Sequence, residues 1–218
     1  MKFAVFGATG LTGVIFVWQA LEENHQLKLY CRSESIHKLG ELATHELVEI
    51  IEGGFQDDFS RAINNVDAVV SFLGPGLFWP GDKPLEKVMI KIMETMRQEN
   101  VKRFITMGTP TISDPLDKYS YKYAAMIYGL KLFQRNIYDD MIAVGDLFKN
   151  GFFDDIEWTV GRICMLRNAS KPTGRVHVGY VGDAEGSIFS EREDWVQFVL
   201  NEISEKKWVR KMPFITSV

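Results

Sequence analysis

The chain has 218 residues, with 25 Lys+Arg against 29 Asp+Glu and a formal net charge of −4. Apolar residues make up 46% and charged residues 25%, a balance that buries a core and excludes intrinsic disorder. The negative charge argues against a nucleic-acid partner, and no apolar run reaches the ~18 residues of a membrane span. No membrane partner, signal peptide or metal is therefore expected, and Cys31 and Cys164 lie too far apart for a zinc spacing. They read as free thiols of a cytoplasmic protein.

In chain order, Lys2–Phe6 reads as a buried strand, followed by a helix from Leu11 to about Glu23 with Val14, Val17, Trp18 and Leu21 on one face. Gln26–Cys31 is a second strand, Ile36 to Leu42 a short helix, and Leu47 to Ile51 a third strand. A helix over Asp57 to Ile63 leads into a fourth strand, Ala68 to Phe72. Leu85 to Glu99 is amphipathic, with Val88, Met89, Ile92, Met93 and Met96 as a core stripe. Arg103 to Met107 is a fifth strand, and Tyr119 to Asn150 a long helical region broken near Asn136. Glu157 to Cys164 and Arg175 to Tyr180 are strands, Glu191 to Ile203 a helix, and Trp208 to Ile215 holds a last short strand. Alternation at this spacing predicts an α/β fold with a doubly wound, Rossmann-like parallel sheet. One domain is expected over residues 1–218. Residues 1–155 form the cofactor core, and 156–218 add the last strands, a helix and a small substrate-covering portion. The pocket should then be shallow and loop-built.

The strongest chemical signal is Gly7-Ala-Thr-Gly10-Leu-Thr-Gly13, set between the first strand and the first helix. Glycines there allow the tight turn, the close approach of a pyrophosphate and close helix–strand packing. The helix N-terminus adds unpaired N–H groups. Gly7, Thr9, Gly10, Leu11, Thr12 and Gly13 are thus candidate cofactor contacts. At the end of the second strand, where an NAD site places a carboxylate, the chain reads Leu29-Tyr30-Cys31-Arg32-Ser33. A guanidinium at Arg32, helped by Ser33, suits the 2′-phosphate of NADP(H), with Lys38 as a weaker candidate. A solvated loop is the plain alternative for Arg32.

Four segments, FGATGLTGV from Phe6, DAVVSFLG from Asp67, VKRFITMGT from Val101 and EWTVGR from Glu157, carry a family likeness. In order and spacing the sequence resembles the atypical short-chain dehydrogenase/reductases, in particular the NAD(P)H-binding, NmrA-like branch with its flavin and biliverdin reductase-like members. The resemblance implies that Phe72, Leu73 and Gly74 line the adenosine and ribose side. It implies that the stretch from Thr106 and Met107 to Thr111 faces the nicotinamide. Many relatives use Tyr-x-x-x-Lys, with tyrosine as proton donor. Here Tyr119, Tyr121, Tyr123, Tyr128 and Tyr138 all lack a lysine four positions on, and alignment puts Tyr138 and Ile142 in the two slots. A phenol near its ordinary pKa of about 10 is a poor acid at neutral pH without that ammonium. Gly53-Gly54-Phe55-Gln56-Asp57 replaces a Gly-Asp after the third strand, and Val160-Gly161-Arg162 replaces an Arg-Pro pair.

Thr109, Tyr123 and Tyr138 are the candidate donors to a substrate oxygen, and Phe78, Trp79 and Thr111 the candidate substrate contacts. Each has a structural alternative: Phe78 and Trp79 as loop anchors, the threonines as caps of the turn at Pro110, the tyrosines as helix packing. His25, His37, His45 and His177 lack metal-ligand spacing, and no hydrolase motif occurs. The expectation is an NADP(H)-dependent oxidoreductase acting on a small carbonyl, enone, imine or flavin-like substrate, as monomer or homodimer. Loss of the Tyr/Lys pair motivates two alternatives, a non-catalytic NADP(H)-binding sensor and a redox-neutral isomerase or cyclase.

Overall fold

The computed structural model describes residues 1–76, 79–169, 172–183 and 187–217. Its central sheet has the strand order β3-β2-β1-β4-β5-β6-β10-β8. The strands are β1 (Lys2–Phe6), β2 (Gln26–Cys31), β3 (Val48–Glu52), β4 (Ala68–Ser71), β5 (Arg103–Gly108), β6 (Glu157–Ile163), β8 (Val176–Gly179) and β10 (Phe214–Ser217). Neighbours pair in parallel throughout, except that β8 runs antiparallel to β10. Strands β7 (Met165–Arg167) and β9 (Phe189–Glu191) form a separate parallel pair. Their three residues each gave no readable period in the sequence.

Two helical layers cover the sheet. On one face α1 (Leu11–Glu22) and α6 (Arg192–Glu205) bury Phe16, Val17, Trp195 and Val199 against β1, β2 and β4. On the other lie α2 (Ser60–Ile63), α3 (Pro84–Gln98) and α5 (Arg135–Lys149). The methionine stripe of α3 is core: Met89, Ile92, Met93 and Met96 are fully buried. Trp18 departs from the expected α1 face and is exposed, because the stripe facing the sheet runs through Gly13, Phe16, Val17 and Ala20. The segment Ser33–Thr44, within which a short helix was expected over Ile36 to Leu42, is a run of 3-10 turns kinked at Gly40. The long helical region divides at Gln134 into α4 (Tyr121–Phe133) and α5.

The chain winds from β1 outward to β3, then crosses back to β4 and outward to β6. The reversal falls between β1 and β4, the crevice where doubly wound sheets bind ligands. Registers Phe6↔Ser71 and Ser71↔Thr106 bring the loops after β1, β4 and β5 to one edge.

Candidate functional site

Gly7 leaves β1 with φ +79°, and its carbonyl accepts the Gly10 N–H at 3.1 Å, closing the turn. A Cβ on Gly13 would lie 2.2 Å from the Gly7 oxygen, and one on Gly7 2.9 Å from the Phe72 backbone. Those two glycines are demanded by the fold. Gly10 is different: a Cβ there would touch only the Gly7 oxygen, at 3.4 Å, and the residue is exposed. Gly10 also starts α1 with no side-chain cap and no acidic residue in the first turn. The helix thus presents bare N–H donors and a positive dipole end, the arrangement that suits a pyrophosphate. Thr9 is half-buried beside it, Thr12 is buried and Leu11 is 67% exposed.

At the end of β2, Arg32 is exposed and meets Glu34 at 3.3 Å. Ser33 donates its hydroxyl to Glu52 at the end of β3. Lys38 is also exposed. Asp57 accepts the Gly54 N–H at 2.7 Å, and the Tyr30 hydroxyl donates to the Gly54 carbonyl at 2.8 Å. The turn after β3 is thereby fixed by its own residues. Past β4, Phe72 is buried against Phe16, Leu73 is half-buried and packs on the core, and Gly74 is exposed. Gly74 approaches Met107: a Cβ there would lie 3.8 Å from the Met107 sulfur.

Thr106 does not face the crevice. Its side chain is fully buried, with the hydroxyl donating to the Ser71 carbonyl at 3.4 Å beside Met89. Strand alternation turns it toward α3 and leaves Met107 on the other face. After β5, Thr109 and Thr111 join hydroxyls at 2.6 Å. Both line a cavity of about 240 Å³ with Met126, Leu130, Ile163 and Cys164; Pro110, Ile127, Ile137 and Met165 complete the wall. No charged side chain borders it among the described residues. α4 contributes Met126, Ile127 and Leu130 to the wall, and the C-terminal portion contributes Ile163, Cys164 and Met165. A cleft of about 610 Å³ near Phe148, Trp158 and Arg210 is larger but lies away from the glycine turn.

Tyr123, a candidate donor, is only 2% exposed and gives its hydroxyl to the Ser187 carbonyl at 3.2 Å. Burial pushes that phenol up to about 12. It is a packing residue rather than an acid. Tyr138 sits half-buried in the first turn of α5 with the Lys131 ammonium 5.5 Å above its ring, outside the cavity wall, and Ile142 is half-buried a turn further on. Trp79 donates its indole N–H to Asp140 at 2.6 Å and packs on the core, so it anchors the loop after β4. Phe78 lies outside the described residues.

Three polar features went unread in the sequence. Fully buried Asp140 on α5 accepts the backbone N–H groups of Leu85 and Glu86, capping α3 from a distance. Arg162 is completely buried and holds Asp117 by two hydrogen bonds of 2.6 and 2.7 Å, tying the loop after β5 to β6. Arg103 pairs with Glu202 at 2.8 Å in the interior. Each pair joins residues 45 or more positions apart, and nothing local marks it. Cys31 and Cys164 are both free, and burial pushes their thiols up to about 11 and about 12. Among the described residues no cluster is placed to hold a metal ion, and no helix is long and apolar enough to cross a membrane.

The glycine turn and the uncapped helix at the switch-point crevice have the geometry that suits a dinucleotide, and the model of a family described as NAD(P)H-binding matches residues 7–206. The chain belongs to this NAD(P)H-binding family. No curated protein matches its sequence. A wide-type short-chain dehydrogenase/reductase from Veillonella parvula, solved in complex with NADP, is similar in fold, with 17% identity and TM-score 0.76 over 99% of this chain and 94% of that one. An anaerobillin reductase from Escherichia coli O157:H7 gives 15% identity and TM-score 0.74, over 100% and 97%. An oxidoreductase from Lactococcus lactis gives 15% and 0.76, over 100% and 91%. At these identities the likeness is one of fold. Within the family frame, Gly7 to Gly13 and the 72–74 and 107–109 loops are the residues of this chain able to hold a dinucleotide.

Proposed function

We propose that this NAD(P)H-binding protein is an NADP(H)-dependent reductase of the atypical short-chain type, acting on a small, uncharged carbonyl, enone or imine. The observation that carries the reading is the apolar cavity of about 240 Å³, with its paired threonine hydroxyls, at the strand edge that also carries the glycine turn. Bound there, the dinucleotide supplies hydride at its nicotinamide. The chain's own residues bind, orient and exclude water. The N–H groups of α1 hold phosphate, and Met126, Leu130 and Ile163 keep the cavity dry. In the threonine pair one hydroxyl donates to the other, leaving the second proton to polarise a substrate oxygen. The volume lies below the ~300–1,000 Å³ usual for ligand pockets, which favours small carbonyls over flavin-like substrates.

Arg32 supports NADP(H) over NAD(H), since its exposed guanidinium meets Glu34 in a solvent-screened pair that a 2′-phosphate can displace. Arg32→Asp is expected to weaken NADPH about 10- to 100-fold in calorimetry, the worth of a charge-assisted pair, and NADH little. Equal losses on both would exclude Arg32 from the 2′-phosphate. Turnover is tested by NADPH oxidation with neutral aldehydes, enones and cyclic imines. NADPH binding without turnover of any of them supports the sensor reading motivated by Ile142 in the lysine slot. Absence of NADPH binding sinks both.

A further inference from the structure

The outer side of α1 is not a plain solvated face. By helical position Val14, Ile15, Trp18 and Gln19 lie opposite the sheet-facing Gly13, Phe16, Val17 and Ala20. With Glu41 and Leu42 of the 3-10 segment, Pro172, and Glu193 of α6, they border a cleft of about 540 Å³. That volume falls within the ~300–1,000 Å³ usual for ligand pockets. The cleft shares no residue with the cavity at Thr109 or with the glycine turn. Its wall is fixed on one side by Thr173, next to Pro172, whose N–H donates to Asp194 of α6 at 2.6 Å.

Two buried side chains give the cleft its chemistry. Gln19 is only 7% exposed, although it stands on the outer side of its helix, and its Oε1 is buried without a hydrogen-bond donor. A buried acceptor in that state costs stability, and a leucine would pack there without the cost. Glu193, in the first turn of α6, is also 7% exposed, and one of its oxygens accepts the Ala169 N–H at 2.8 Å. Among the described residues no cation pairs with its carboxylate, nor with that of exposed Glu41. The positive end of α6 offsets part of the Glu193 charge, whereas a buried carboxylate ordinarily has a cationic partner as well. No lysine, arginine or histidine borders the cleft among the described residues, so the charges on its wall are all negative. The rest of the wall is apolar, and half of the Trp18 indole is open. An indole face attracts a cation, and the apolar wall takes the hydrocarbon that carries it. An anion would meet two like charges, and a ligand without donors would leave the Gln19 oxygen unpaired. A protonated amine on an apolar body satisfies the amide oxygen, the carboxylates and the wall together.

We propose that this cleft binds a small organic ammonium ion, held by Gln19 and Glu193 and covered by the Trp18 indole. The site is separate from the hydride site and does not depend on the reaction there.

The test is calorimetry of the full-length protein, without dinucleotide, with phenethylamine, phenethyl alcohol and phenylpropanoate at neutral pH. The three share an apolar body and differ in charge. Phenethylamine is expected to bind at least about tenfold more tightly than the alcohol, with the propanoate weakest. Gln19→Leu should weaken the amine about tenfold while the thermal midpoint holds or rises, since it removes a buried, donorless acceptor. A glutamine that only packs would leave the amine affinity where it is. Trp18→Ala should weaken the amine about fivefold without unfolding the protein, since that side chain is half open to solvent. Glu193→Gln keeps an oxygen for the Ala169 N–H and should weaken the amine about tenfold by removing the charge. No binding of phenethylamine up to about 10 mM, or equal binding of the alcohol, overturns the proposal. So does an amine affinity that survives both Gln19→Leu and Trp18→Ala. NADPH binding and turnover are measured separately, so failure here leaves the reductase reading untouched.

Discussion

At the scale of single residues, the glycine turn separates what the fold requires from what a ligand requires. Gly13→Ala forces a Cβ to within 2.2 Å of the Gly7 oxygen. A loss of about 1–3 kcal/mol in urea denaturation is expected from that overpacking. Gly10→Ala meets no such clash and should leave the midpoint nearly unchanged while weakening NADPH in calorimetry. The phenols were read less well than the glycines. Tyr123 stood in a tyrosine-rich cluster that suggested a proton donor, yet its hydroxyl is spent on the Ser187 carbonyl. Tyr123→Phe should cost about 1 kcal/mol in a thermal melt and leave turnover intact. Thr109→Val, by contrast, removes half of the hydroxyl pair, and kcat should fall about 100-fold with NADPH affinity retained. Thr109 and Thr111, singled out after the fifth strand, both line the cavity, whereas the burial of Thr106 three positions before Thr109 was not legible from the strand-end motif.

Among elements, those with a strong period were legible. Strand β2 falls on its predicted residues, and α3 lies within one residue of them at each end, because hydrophobic spacing and the Pro84 start leave little freedom. The role of α4 was not legible. Its apolar residues occur on every side, so the pattern gives a helix without a preferred face, and the cavity cover it forms depends on the turn at Gln134. The sequence left Trp79 in the loop after β4 as either a substrate wall or a loop anchor, and Asp140, 61 positions further on, decides for the anchor by accepting its indole N–H. Asp140→Ala would leave the Leu85 and Glu86 N–H groups and the Trp79 indole without their acceptor. A loss of at least about 1–3 kcal/mol follows, with faster hydrogen exchange at the start of α3 as the element-level signature.

Across the whole molecule, two buried arginines lock the second half of the sheet. Arg103 and Glu202 are 3% and 2% exposed, and burial lowers the Arg103 pKa against the pull of Glu202. Glu202→Ala strands that guanidinium, and about 3–5 kcal/mol of stability should disappear in urea titrations. Asp117 adds a pH dependence. Burial acts to raise its pKa, but the Arg162 guanidinium and the Asp114 and Val181 N–H groups outweigh it and hold the carboxyl below the usual range. A depressed carboxyl contributes stability fully above its unfolded pKa of about 3.9 and loses it as pH falls further. Urea midpoints should therefore drop on acidification below that value, and Asp117→Asn should flatten the drop at the cost of lower stability at neutral pH. The position of β10 bears on synthesis. It fills the gap between β6 and β8, receiving the Arg162 N–H at the Pro213 carbonyl and pairing Ile215 with Ile163. Every earlier strand of the parallel run leaves the ribosome first, so the outer edge of β6 waits for the stretch from Cys164 to Ser217 to be translated. At about 5–20 residues per second that edge stands bare for about 3 to 11 seconds, an interval in which a nascent chain has an open template for a neighbouring one.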